Sequence, residues 1–171
     1  MKFAASLDTK SILITIGIVI TLILISMWHI RNRNKSHGKP INRTRAAAIA
    51  ILLVVMGYCF LSYPRLYVVN RDKLIIKSLL SEVQIPVRQI LDCRMVPVPE
   101  MQDAERIFGT LGIFGYNGYY HNKTIGDMKF YATRYSNFVL IHTLTGQSVI
   151  LTPDKPKDMV DEITSDITIN N

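Results

Sequence analysis

The chain has too little cysteine for a disulfide scaffold: two residues in 171. Seven prolines and nine glycines are too few for a collagen-like or linker-type chain. No Gly-Lys-Ser/Thr opens a phosphate loop, and no G-x-G spacing marks a dinucleotide fingerprint. The four histidines, His29, His37, His121 and His142, are scattered, and none has the spacing of a metal-binding helix. No nucleophile–base pair stands out. The expectation is therefore a binding protein and not an enzyme, with no cofactor and no metal. A mean hydropathy of +0.20 argues against disorder.

Charge is missing from two long stretches. Residues 11–30, SILITIGIVITLILISMWHI, contain no Lys, Arg, Asp or Glu. As a helix they cover roughly 30 Å, the hydrocarbon thickness of a bilayer. A cleaved signal peptide is the competing reading, but the apolar core is too long and MWHIRNRN has no small-x-small cleavage site. Residues 46–63, AAAIAILLVVMGYCFLSY, are also uncharged, and cover roughly 27 Å as a helix. They are apolar on all faces and closely follow the first stretch, which favours a second span over a buried soluble helix. Apart from His29 at an edge and Cys59, neither holds an ionisable group, so they read as an anchor and not as a transport pathway. Residues 1–64 are thus expected to be a membrane anchor, with spans 11–30 and 46–63, and residues 65–171 a separate domain.

The net charge of +7 suggests nucleic acid until it is resolved by position. Residues 31–45, RNRNKSHGKPINRTR, carry Arg31, Arg33, Lys35, Lys39, Arg43 and Arg45 with no acid. Residues 64–171 balance at twelve basic and twelve acidic side chains. The excess belongs to a short loop tied to the bilayer at both ends, so lipid headgroups replace nucleic acid as its expected contacts. The positive-inside rule sets this loop in the cytoplasm and both termini outside. Arg65, Arg71, Lys73 and Lys77 with Lys2 and Lys10 oppose that orientation, but they are spread over two flanks and mixed with acids.

From Arg65 the hydrophobic period becomes two. RLYVVN, KLIIKSLL, VQIPVRQILDCRMVPV, GDMKFYAT, SNFVLIHTLTG and QSVILTP predict about seven strands. In the fifth run, Phe138, Leu140 and His142 fall on one face, Val139 and Ile141 on the other. PDKPKDMVDEITSDI then predicts a helix, capped by Asp154, with an apolar stripe of Met159, Val160, Ile163 and Ile167. Between the strands lies RIFGTLGIFGYNGYY, with Gly109, Gly112, Gly115 and Gly118 at every third position. It reads either as a bulged hairpin or as an aromatic loop that meets the bilayer or clasps a partner. Phe114, Tyr116, Tyr119, Tyr120 and the adjoining His121 are the candidate interaction surface. Asn42 and Asn122 head triplets that match glycosylation acceptors.

The runs RIFGTLGIFGYNGYY, GDMKFYAT and VLIHTLTGQSVILTPDKPKDMVDEI, with IPVRQI at 85–90, resemble a bacterial pleckstrin-homology (PH-like) domain over about Tyr67–Ile167. The resemblance implies a bent, seven-stranded antiparallel barrel capped by a C-terminal helix, and a role in binding. The expected protein is a two-span, membrane-anchored PH-like scaffold that engages a membrane or membrane-proximal protein or a lipid headgroup; the alternative is an accessory subunit of a membrane transporter. Homo-oligomerisation is left open.

Overall fold

The computed structural model describes residues 1–33, 43–110 and 112–170. A short strand, β1 (Lys2–Ala4), precedes two helices, α1 (Thr9–Arg33) and α2 (Arg43–Ser62). Nine strands follow: β2 (Leu66–Val69), β3 (Lys73–Lys77), β4 (Glu82–Pro86), β5 (Ile90–Val96), β6 (Glu105–Gly109), β7 (Tyr116–Asn122), β8 (Gly126–Ala132), β9 (Phe138–Thr143) and β10 (Ser148–Leu151). Helix α3 (Pro156–Asn170) ends the described chain.

The strands form two sheets and not one barrel of seven. The smaller has the order β1-β2-β3-β4 and the larger β5-β9-β10-β8-β7-β6. The expected all-antiparallel pattern is corrected at one place: β10 inserts between β9 and β8 and runs parallel to β8, Ser148 opposite Met128 through Leu151 opposite Tyr131. The surplus strands have identifiable causes. Three residues are too few for β1 to show alternation, and the glycines that depress strand propensity fall within or beside β6 and β7.

β1 pairs antiparallel with β2, Lys2 opposite Val68 and Ala4 opposite Leu66, so the first residues belong to the sheet. The link from β1 to α1 is held at each step. The Ala5 amide donates to Arg65 O, and Ser6 N and Oγ donate to the Asp154 carboxylate, which also pairs with Arg134. Asp154 is therefore engaged here and not as the cap of α3. Asp8 accepts the Ser11 amide at 2.7 Å and so caps α1.

Two spans were expected; among the described residues one helix is long and apolar enough to cross a membrane, over Thr9–Trp28. The apolar part of α2 is the shorter Ala47–Ser62. Arg43 and Arg45 occupy its first turn, which leaves roughly 24 Å of apolar helix against roughly 30 Å of hydrocarbon. Thr15, Thr21 and Ser26 donate back to Ser11 O, Gly17 O and Leu22 O of their own helix.

β9 and β10 are buried on both faces, which accounts for their continuous apolar sequences. Val139, Ile141, Val149 and Leu151 enter one core with Tyr67, Leu74, Ile76 and Phe3. The α3 stripe closes it: Met159 and Ile163 are fully buried, Val160 and Ile167 partly. Phe138, Leu140 and Ile150 enter a second core with Tyr120, Phe130 and Met101. Tyr67 ties the sheets together, its hydroxyl donating to Tyr131 O at 2.6 Å.

Phe3→Ala should cost about 3–5 kcal/mol, the usual range for emptying a buried aromatic site, and thermal unfolding of the full chain in detergent measures it. An unchanged melting temperature would remove β1 from the core. Burial pushes the Cys93 thiol and the Tyr120 hydroxyl each up to about 12, and raises Tyr67 too. Between the ordinary values, 9.0 for the thiol and 10.0 for the phenol, and about 12, the folded chain keeps protons that the unfolded chain loses. Stability should therefore fall as pH rises above about 9, and Cys93→Ala should flatten the first part of that fall. A melting temperature constant from pH 8 to 11 would contradict it.

Candidate functional site

The strand directions define one rim of the domain. β1 runs toward it and continues into α1; β2 leaves it after α2; the β3–β4 and β6–β7 connections return to it. Each connection touches a helix. At the β3–β4 turn, the Leu79 and Leu80 amides both donate to Leu61 O, at 3.1 and 3.0 Å, which caps the end of α2. Both leucine side chains are exposed.

The glycine-rich connection touches both helices through Phe114. Its amide donates to Thr15 Oγ1 of α1 at 3.2 Å. Its ring meets Phe60 of α2 edge-on at 5.2 Å and stacks with Tyr63 at 6.1 Å. The Arg65 guanidinium lies 4.8 Å from the Tyr63 ring and 5.1 Å from the Phe60 ring, so the cluster carries a cation at its domain side. Phe114 holds a left-handed φ of 52°, a conformation that L residues with a bulky side chain rarely take. Gly112 gives α1 its approach: a Cβ there would lie 2.8 Å from Ile14 Cδ1.

Behind this tip β6 and β7 come unusually close. Gly109 faces Gly118, and a Cβ on Gly118 would lie 2.1 Å from Phe108 O. The register slips between Arg106 and Phe108, so Ile107 is an extra residue in the edge strand. Ile107 and Phe108 are both exposed, at 64% and 75%.

The five aromatic-segment candidates separate. Tyr116 and Tyr120 are corrected from surface to core: both rings are buried, and Tyr120 stacks on Phe130 at 4.1 Å while its hydroxyl donates to Thr110 O. Period two decides this, since Tyr116, Gly118 and Tyr120 share the buried face of β7. Phe114 is spent on the chain's own helices. Tyr119 is exposed, and His121, also exposed, pairs with Asp127 at 2.7 Å. Of the six basic loop residues, Arg31 is exposed in the last turn of α1, Arg33 ends that helix, and Arg43 and Arg45 begin α2. Lys35 and Lys39 lie outside the described residues, as does Asn42. Asn122 is buried with its side chain bonded to Glu100 O, Thr124 N and Ile125 N, which withdraws it as a glycosylation acceptor.

The structure adds a feature that sequence reading missed. The smaller sheet and α3 cover β5, β9 and β10, while the β8-β7-β6 part of the same face looks toward α2. A groove of about 690 Å³ lies there, walled by Val55, Tyr58 and Cys59 of α2, Leu80, Ile107 and Phe108. Arg106, Tyr119, Lys129 and Tyr131 line its sheet side. The Lys129 ammonium sits 5.3 Å from the Tyr119 ring and 5.2 Å from the Tyr131 ring. The Tyr131 hydroxyl beside it raises its pKa. No sequence signal marks the groove, because its residues come from α2, the β3–β4 hairpin and three strands of the other sheet.

The chain matches the family model described as Bacterial PH domain over residues 65–167. The chain belongs to that family. Comparison with curated proteins returns no match, and neither does comparison with solved structures.

In this bacterial PH domain the first hairpin, β2–β3, carries Arg71, Asp72 and Lys73, which with Pro86 and Arg88 line a smaller pocket of about 350 Å³. That turn is at the opposite end of β3 from the helix rim, roughly 17 Å away for a five-residue strand. Lys73 is engaged with Gln84 at 2.9 Å, and Asp72 offsets part of the charge. The groove beside α2 is the better-placed site for anything that the helices' surroundings supply.

Phe114→Ala should remove both ring contacts and cost about 1–3 kcal/mol. Hydrogen exchange should quicken at residues 112–116 and at Tyr63–Arg65, while the β9 and β10 amides stay protected. Unchanged exchange at both segments would mean that the ring does not hold the helices to the domain.

Proposed function

We propose that the protein is a two-pass membrane protein that holds a bacterial PH domain against the bilayer as a binding module and scaffold, without catalysis. The carrying observation is the β1–β2 pairing. β1 precedes α1 and β2 follows α2, so the segments before and after the helices meet in one sheet. A chain that crosses with α1 must return before β2, and α2 is the segment available. Its short apolar stretch is compatible with this, because a span shorter than the hydrocarbon is met by local thinning of the bilayer.

Burial supports the same reading. Only 11% of the Thr9–Trp28 span is covered by the protein, unlike the core helix of a soluble fold. Ile51, Leu52, Leu53, Val54 and Val55 of α2 are exposed as well. Cleavage of α1 as a signal sequence would also strip β1 from its sheet, and Phe3 and Ala5 from the core. The basic loop faces the cytoplasm and the domain lies outside, held to the membrane on both helix ends without a flexible linker. In that position it engages membrane proteins or lipid headgroups within reach of the rim.

Single cysteines at Lys2 and Lys123, each in a Cys59→Ala/Cys93→Ala background, test this with a membrane-impermeant maleimide on intact cells. Both should label before lysis, and a cysteine at Ser36 should label only after it. Lys2→Cys and Lys123→Cys on opposite sides would overturn the two-pass reading. Both protected until lysis would reverse the orientation.

A further inference from the structure

The turns at the two ends of β3 differ in kind. The far turn is Asn70-Arg71-Asp72-Lys73, rich in charge and suited to water. The rim turn is Ser78-Leu79-Leu80-Ser81, with no charged residue. Its two leucines are exposed, at 53% and 54%. All four of its amides are bonded within the protein. Ser78 N donates to Ser81 O and Ser81 N to Ser78 Oγ, each at 3.0 Å. Leu79 N and Leu80 N both donate to Leu61 O. On a wet surface such donors can be left to water. Hydrocarbon offers them no partner, so there every one must be satisfied internally.

Hydrogen bonds also fix the level of this turn. Helix carbonyls point toward the C-terminus, so donors to Leu61 O stand just beyond the end of α2. One layer further into the domain, the Arg65 amide donates to Lys77 O at 2.8 Å, and Lys77 pairs with Glu82 at 3.4 Å across the hairpin. Leu61, Leu79 and Leu80 thus form an apolar layer, and Arg65, Lys77 and Glu82 a charged one. Between them lie Ser78 and Ser81 on the hairpin, and Tyr63, stacked on Phe114, at the entry to β2. Apolar, then aromatic or small polar, then charged is the order of a membrane boundary. Leu80 also shares a groove with Val55, Tyr58 and Cys59, so the apolar surface of the tip continues that of α2. The apolar stretch of α2 covers roughly 24 Å against roughly 30 Å of hydrocarbon, and the two leucines stand where it stops.

We infer that the β3–β4 tip is immersed in the bilayer, with Leu79 and Leu80 in hydrocarbon at the end of α2 and the layer of Arg65, Lys77 and Glu82 among the headgroups. The tip supplies apolar surface that α2 lacks, which leaves less for thinning of the bilayer to supply. The contact is with hydrocarbon and needs no particular headgroup. This deepens the proposed function and rests on α2 lying in the bilayer.

The test uses the full chain in phosphatidylcholine nanodiscs, with single nitroxide labels in a Cys59→Ala/Cys93→Ala background. Collisions with oxygen, which dissolves in hydrocarbon, are compared with collisions with a neutral nickel chelate, which stays in water. Leu79→Cys and Leu80→Cys carry labels at the tip; both side chains are exposed and their hydrogen bonds are made by the backbone, so the turn keeps its shape. Leu53→Cys reports the exposed face of α2, and Lys123→Cys the far end of the domain. Oxygen should exceed the chelate severalfold at Leu79, Leu80 and Leu53, and the ratio should invert at Lys123. Leu79→Asp beside a label at Leu80 should raise the chelate collisions there severalfold. Ratios at Leu79 and Leu80 that match Lys123, while Leu53 stays in lipid, would overturn the immersion. Tip labels shielded from both reagents would overturn it too, and make the turn a contact with another protein chain. A Leu53 label in water would overturn the two-pass reading, and the tip is then decided by its own ratio.

Discussion

Three residue pairs, Lys2 with Val68, Phe3 with Tyr67 and Ala4 with Leu66, tie the start of the chain to the strand that follows the second helix. Both helices must then leave and rejoin the domain at the same rim. Asp8 can cap α1 only because Ala5 and Ser6 are already bonded to Arg65 and Asp154. Phe114 can touch both helices because they emerge side by side at the tip of the β6–β7 hairpin. The Leu61 carbonyl receives two amides because the β3–β4 turn comes back to the same level. Each is a small interaction; together they orient a neutral domain relative to the helices with no slack.

Orientation is what gives the lateral groove its meaning. The larger sheet is wider than the smaller sheet and α3 together can cover, and the uncovered part faces α2. Hydrocarbon walls and cations are therefore brought together from distant stretches of sequence. The other cationic pocket, at Arg71 and Arg88, has similar residue types but lies at the far end of β3. Position relative to the rim, more than charge, separates the two.

Much of the β domain was legible because its signals are local. The alternating faces of Phe138–Thr143 and the 3.6-residue stripe of Met159, Val160, Ile163 and Ile167 are visible in single windows, and the structure buries the residues those patterns select, His142, Val160 and Ile167 only in part. The misses are non-local. β1 is three residues long and has meaning only beside β2. The parallel pairing of β10 with β8 depends on which edge of β9 was free. Tyr116 and Tyr120 are aromatic residues near glycine in the sequence, but their face of β7 is turned toward Phe130. Asn122 matches a glycosylation triplet that its own hydrogen bonds cancel.

The sequence by itself determined the two charge-free apolar stretches, the basic segment between them, the neutral β-rich region after Arg65, and the closing amphipathic helix. Those are properties of composition and of periods 2 and 3.6, which need no partner strand. Only the tertiary structure decided that the first residues rejoin the sheet, that Phe114 is spent on the chain's own helices, and that Lys129 and Tyr119 share a groove with Val55 and Tyr58. These are choices of strand partner and of face. A hydrogen-bonding edge offers the same N–H and C=O groups to any neighbour, and only the packing of both cores and the common rim selects the one it takes.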